Sequence, residues 1–124
     1  MRFLLDTTVI VDLLRGLPAA ATFIDQLEQQ PYLSAVTVAE LYAGVREGPE
    51  RRHLEQIRFG FAIVPVDDQI AADAGLFRRE YGRSHGTSLA DALIAACAAS
   101  VRATLVTHNR KHFPMLKDAV VPYR

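Results

Sequence analysis

The chain has 124 residues, 50% of them hydrophobic, which suits one domain with a sizeable core, and no second domain is expected. Its 14 basic and 14 acidic residues cancel, so global charge dictates neither nucleic-acid binding nor work on acidic substrates, and either must come from local patches. The lone Cys97 excludes an internal disulfide, and no segment reaches the about 20 apolar residues of a membrane span, so a cytoplasmic chain without membrane association is expected.

Phe3-Leu4-Leu5 is a short apolar run that stops abruptly at Asp6-Thr7-Thr8, the pattern of a buried strand, and Val9 to Leu14 reads as a helix. After Gly16 and Pro18, residues Ala20, Phe23, Ile24 and Leu27 follow amphipathic helical spacing, and Pro31 ends it. Tyr32-Leu33-Ser34 is a short strand candidate. Val38, Leu41, Tyr42 and Val45 then repeat the helical spacing up to Gly48-Pro49, and Leu54, Ile57 and Phe61 suggest a further helix. Their apolar residues exceed what one small core needs, so one face is expected to pair across a two-fold axis in a homodimer.

Phe61 to Val64 reads as a strand closed by Pro65. Ile70, Ala74, Phe77 and Tyr81 predict a long helix that opens near Asp67 and Asp68 and ends at Gly82. Ser88 to Val101 is apolar nearly all round, so it is a helix buried on most sides, with Cys97 inside it as a small hydrophobe. Thr104-Leu105-Val106 is a strand ending in Thr107 and Asn109, and Val120-Val121 is a candidate last strand. Strands alternating with helices predict an α/β fold with a mainly parallel sheet covered on both faces.

Three acids stand where solubility does not explain them: Asp6 after a buried strand, Glu40 within Val38-Ala39-Glu40-Leu41, and Asp91 within Leu89-Ala90-Asp91-Ala92. Capping accounts for each singly, since Thr37 to Glu40 fits a capping box, Ser88 to Asp91 is its shorter-armed version, and Asp6 suits an N-cap. Together they suggest more. Helix starts in a parallel sheet gather at the carboxyl edge of the strands, and converging carboxylates repel unless a cation neutralises them. Hard oxygen donors without a histidine or thiolate cluster suit Mg²⁺ or Mn²⁺, and such a site supports phosphodiester hydrolysis.

Asp6-Thr7-Thr8 after a strand, Glu40-Leu41-Tyr42-Ala43-Gly44, Asp91-Ala92-Leu93-Ile94-Ala95-Ala96 and Thr107-His108-Asn109-Arg110-Lys111-His112-Phe113 resemble, in order and spacing, the motifs of PIN-domain ribonucleases, most closely the VapC toxins of type II toxin–antitoxin systems. The likeness covers nearly the whole chain. It implies a single PIN-like domain over residues 1–124 with a parallel sheet of about five strands flanked by helices. It also implies Asp6, Glu40 and Asp91 as holders of Mg²⁺ or Mn²⁺, endonucleolytic cleavage of an RNA substrate, a homodimer, and a cognate antitoxin whose tail occludes the site.

The chain departs from the family pattern where many relatives carry a fourth acid, which here is Asn109, and at His112, where relatives often have aspartate. With less negative charge, one firmly held ion is expected. Thr8 stands where relatives often have asparagine. Thr8 and Thr107 are supporting candidates, with helix capping as the alternative for both, and His112 is a candidate proton carrier. Arg110 and Lys111 follow Asn109 directly and are the better phosphate-binding candidates. Arg46, Arg51, Arg52 and Arg58 are expected on a solvated face, while Asp12, Asp67, Asp68 and Asp73 are expected in solvent or at caps.

Two rival functions remain open on the residues alone. One is a PIN-like RNA- or protein-binding module without turnover. The other is a phosphotransfer domain with Asp6 as nucleophile, which lacks both a second Asp two residues on and an obvious lysine partner, since the only lysines are Lys111 and Lys117.

Overall fold

A computed structural model describes residues 1–124. The strands are β1 (Phe3–Leu5), β2 (Tyr32–Ser34), β3 (Ala62–Val64) and β4 (Thr104–Val106). The helices are α1 (Thr7–Leu14), α2 (Pro18–Asp25), α3 (Ala35–Gly44), α4 (Pro49–Arg58), α5 (Asp68–His85) and α6 (Leu89–Ser100). The four strands form one parallel sheet in the order β3-β2-β1-β4. Registers such as Leu5 opposite Val106 and Ser34 opposite Val64 bring the carboxyl ends of the strands to one edge.

Strand residues alternate between faces, and here both faces are covered. Leu4 and Leu105 enter one apolar cluster with Ile94, Cys97 and Phe113, whereas their neighbours Leu5 and Val106 enter another with Ile10, Leu41 and Leu54. Leu4, Leu5 and Leu105 are all fully buried. This explains why β1 reads as an unbroken apolar run and why Leu105 and Val106 stand side by side in β4. The α/β class and parallel sheet follow expectation, with a small difference in strand number. Instead of a fifth strand, Val120 makes a single bridge to Val106, through Thr107 N–H donating to Val120 O and Val120 N–H donating to Leu105 O, each at 2.9 Å. Pro122 follows closely and has no N–H to continue the ladder.

Other boundaries moved for identifiable reasons. The long helix α5 runs past Gly82 and closes at Gly86, whose left-handed backbone, φ +66°, ends a helix without steric penalty. Gly82 merely weakens the helix interior, at a cost of about 1 kcal/mol. Helix α3 begins at Ala35, capped by Ser34, whose hydroxyl accepts from Val36 N–H at 3.0 Å. Thr37 is therefore a buried residue inside the helix, and the capping-box reading of Thr37 and Glu40 is wrong. Ser34 also lies 3.3 Å from the Cys97 thiol, which is buried as expected, and that burial pushes the thiol pKa up.

The apolar residues read as surplus for a dimer are taken up within the chain: Leu41, Leu54 and Phe61 are buried in the second cluster, with Tyr42, Val45 and Ile57 packed on it. The homodimer expectation keeps only its family basis. No single helix is long and apolar enough to cross a membrane.

Candidate active site

Asp6 terminates β1, the strand between β2 and β4, and so stands at the middle of the carboxyl edge. It is the N-cap of α1: its Oδ1 accepts from Thr7 N–H at 2.8 Å, and its Oδ2 accepts from the Thr107 hydroxyl at 2.7 Å. Thr107, fully buried, ends β4 next door, and its hydroxyl accepts from Asn109 N–H at 3.0 Å. Both carboxylate oxygens of Asp6 thus have fixed directions. Asp6 is only 5% exposed, and burial raises its carboxyl pKa. The hydrogen bonds from Thr107 and Thr7 oppose that rise, while the charges of Asp91 and Glu40 add to it.

Asp91 comes from the first turn of α6. Its Oδ2 accepts from Ser88 N–H at 3.1 Å while Ser88 Oγ accepts from Asp91 N–H at 3.0 Å, so the expected capping box is present. His112 Nδ1 lies 3.7 Å from the same Asp91 oxygen, and its carbonyl accepts from the buried Thr87 hydroxyl at 2.7 Å. Glu40 stands on α3, more than one turn inside the helix rather than at its start, and is exposed. The Thr7 hydroxyl donates to Glu40 Oε1 at 2.7 Å and shares a 3.0 Å hydrogen bond with Thr37.

Thr7 and Thr37 are the residues that sequence reasoning missed. Thr7 joins the Asp6 cap to Glu40, and the only available signal was the spacing of Thr37 and Glu40, which sets both on one face of α3. Thr8 lies exposed on the first turn of α1. Asn109 and Arg110 are exposed at the start of the short 3₁₀ turn Arg110–His112, and Asn109 is tied to the site by its backbone amide.

As the side chains stand, no three His, Cys, Asp or Glu form a group that could hold a metal ion. Asp6 nevertheless feels the charges of both Asp91 and Glu40. The two observations are compatible, because charges act beyond coordination distance, and the exposed Glu40, tethered by the Thr7 hydroxyl through Oε1 alone, must turn to share an ion with Asp6. A buried carboxylate whose ionised form is disfavoured, flanked by two further carboxylates, fits a hard divalent cation. Thr107→Val removes a charged-acceptor hydrogen bond in a buried place and should cost about 1.5–3 kcal/mol of stability, read by urea unfolding. A midpoint equal to that of the parent would contradict the geometry.

The remaining polar residues sort differently. Asp67 caps α5 by accepting from Ile70 N–H at 2.9 Å, and Asp73 accepts from Gln69. Asp12 is partly solvated, and Tyr123 OH donates to its Oδ2 at 2.7 Å. Arg51 pairs with Glu47 and Glu55 on the solvated face as expected, and Arg58 covers the rings of Tyr42 and Phe59. Arg46 lines a groove of about 410 Å³ between α1 and α3, together with Val11, Leu14, Arg15, Glu40 and Leu41.

The PIN domain family model matches residues 3–117. The chain is 42% identical over 124 residues to Ribonuclease VapC19 of Mycobacterium tuberculosis, with 97% of this chain and 98% of that protein covered. It is 37% identical to Ribonuclease VapC10 of the same organism, covering 97% and 92%. Among solved structures, a toxin–antitoxin complex from Klebsiella pneumoniae superposes with a TM-score of 0.78 at 29% identity over 98% of each chain. FitAcB from Neisseria gonorrhoeae does so with a TM-score of 0.76 at 33% identity over 97% of each.

Proposed function

The chain belongs to the PIN-domain family, among the ribonuclease toxins of VapC type, and on that premise we propose that it is a divalent-metal-dependent endoribonuclease, the toxin of a toxin–antitoxin pair acting in the cytoplasm. The observation that supports this best is the buried Asp6, held through both oxygens and disfavoured as an anion by its burial and by Asp91 and Glu40.

Asp6, Glu40 and Asp91 would hold Mg²⁺ or Mn²⁺. Bound there, the ion would supply a water of lowered pKa and offset charge developing on the scissile phosphate. The chain's own residues supply orientation. Thr107 and the Thr7 amide fix Asp6, the Thr7 hydroxyl directs Glu40, and the Ser88 capping box fixes Asp91. Asp6 and Asp91, held before substrate arrives, need little reordering, and Glu40 is the carboxylate that turns toward the ion. Asn109 offers an uncharged carbonyl at the fourth corner, Arg110 and Lys111 stand on the adjoining turn to meet RNA phosphates, and His112, beside Asp91, is placed to carry a proton. Arg15 and Arg46 line the groove that reaches Glu40, with Glu50 beside them, and are the cations it offers to an RNA backbone. A cognate antitoxin as partner is supported by kinship with toxins solved as toxin–antitoxin complexes, and a homodimer is the assembly that the family resemblance implies.

The purified protein should cut RNA internally with Mg²⁺ or Mn²⁺ and stop on chelation. Cleavage that survives chelation would overturn the reading, and RNA binding without product under metal conditions that activate a related nuclease would favour a binding module.

A further inference from the structure

The far end of the chain returns to the two segments that hold Asp6. Tyr123 OH donates to Asp12 Oδ2 at 2.7 Å, a hydroxyl-to-carboxylate hydrogen bond of the stronger kind. Asp12 lies on α1, the helix that Asp6 caps. The Tyr123 ring meets the His108 ring edge to face, with centroids 4.7 Å apart. His108 sits directly between Thr107, whose hydroxyl holds Asp6 Oδ2, and Asn109. Its Nε2 is buried, has no hydrogen-bond partner, and lies 3.7 Å from Asp12 Oδ2.

Tyr123 therefore touches both supports of Asp6 at once: α1 through Asp12, and the Thr107 segment through His108. Backbone bonds complete the circuit. Asp6 N–H donates to Val106 O, Thr107 N–H donates to Val120 O, and Val120 N–H donates to Leu105 O, each at 2.9 Å. Burial, followed by the Asp12 contact, pushes the Tyr123 phenol well above its ordinary range, so it remains a donor wherever the protein is folded. None of these contacts reaches the reacting centre, so whatever they do for it is done through Thr107 and Asp6.

We propose that Asp12 and Tyr123 are positioning residues, a strap from the C-terminal tail that holds the Thr107–Asn109 segment against Asp6 and keeps the metal-binding edge in register. The inference rests on the ribonuclease reading only for its effect on turnover, because the strap itself is also readable without catalysis. Loss of a supporting contact behind a metal ligand commonly lowers activity 10–100-fold, by about tenfold at the mild end.

Tyr123→Phe deletes the donor and keeps the ring. It should lower kcat for RNA cleavage about tenfold with KM within about twofold, and should speed hydrogen exchange at the Thr107 and Asn109 amides while α5 amides stay as in the parent. Asp12→Ala should do the same, and Asp12→Asn, which keeps an acceptor for the phenol, should recover part of the lost kcat. Parent-like kcat and exchange in Tyr123→Phe would overturn the proposal, as would a loss of turnover accompanied by faster exchange throughout the molecule. If the parent cuts no RNA, the ribonuclease reading fails, and the Thr107 and Asn109 exchange rates still decide the strap.

Discussion

Asp6→Asn should slow RNA cleavage by about 10³-fold, since losing several kcal/mol of transition-state stabilisation costs a decade per about 1.4 kcal/mol, while leaving the fold at least as stable as the parent. Burial makes the ionised carboxylate unfavourable, and an amide of the same shape removes that charge. Its oxygen still accepts from Thr7 N–H, and its NH₂ can donate to the Thr107 hydroxyl, whose own proton then turns away from residue 6 at a cost that offsets part of the gain. The gain has a definite pH dependence. The folded pKa of Asp6 stands above its ordinary value of 3.8, so between those two values the native state keeps a proton that the unfolded chain has released. This group's contribution therefore turns against folding as pH rises through that window, and stays adverse above it. The stability advantage of Asp6→Asn should be present at neutral pH and vanish on acidification below 3.8, as followed by thermal melts across pH. A variant less stable than the parent at neutral pH would show that the buried charge is better compensated than its surroundings indicate.

Asp91→Asn separates two tasks that this residue performs. The side-chain oxygen accepts from Ser88 N–H and completes the capping box of α6, which an asparagine oxygen can also do. The negative charge is what a cation requires. The substitution should therefore lower cleavage by about 10²-fold, in keeping with loss of a charged donor worth about 3 kcal/mol, with a melting temperature close to that of the parent. Asp91→Ala should also lose about 1 kcal/mol of stability, because the hydrogen bond from Ser88 N–H goes with the charge. Equal activity of Asp91→Asn and parent would remove Asp91 from the site and leave it as a helix cap.

Much of this arrangement was legible because it is local. An apolar run that ends in a carboxylate, as at Leu4-Leu5-Asp6, states both the buried strand and the residue at its edge. The Ser88 and Asp91 box was readable for the same reason, since both partners lie within one helical turn. Glu40 was found for a partly mistaken reason. Ser34 and Thr37 both have cap chemistry, and only the strand that runs into Ser34 decides that the helix starts there. That error worked in favour of the site: with Thr37 inside the helix, capping no longer explains Glu40.

What could not be read joins residues far apart in the chain. The Thr7 to Glu40 bond spans 33 positions and the Tyr123 to Asp12 bond spans 111, and neither leaves a periodic or composition signal. The choice between Thr7 and Thr8 as the working hydroxyl likewise depends on which way the first turn of α1 faces, and that is set by packing of Val9 and Ile10 in the core.

If Asp6, Glu40 and Asp91 act together on one cation, calorimetric titration of the metal-free protein with Mn²⁺ shows it without requiring the RNA. One ion should bind per chain, with affinity reduced by each of Asp6→Asn, Glu40→Gln and Asp91→Asn. Parent-like Mn²⁺ binding in all three variants, or no Mn²⁺ binding by the parent, would contradict it.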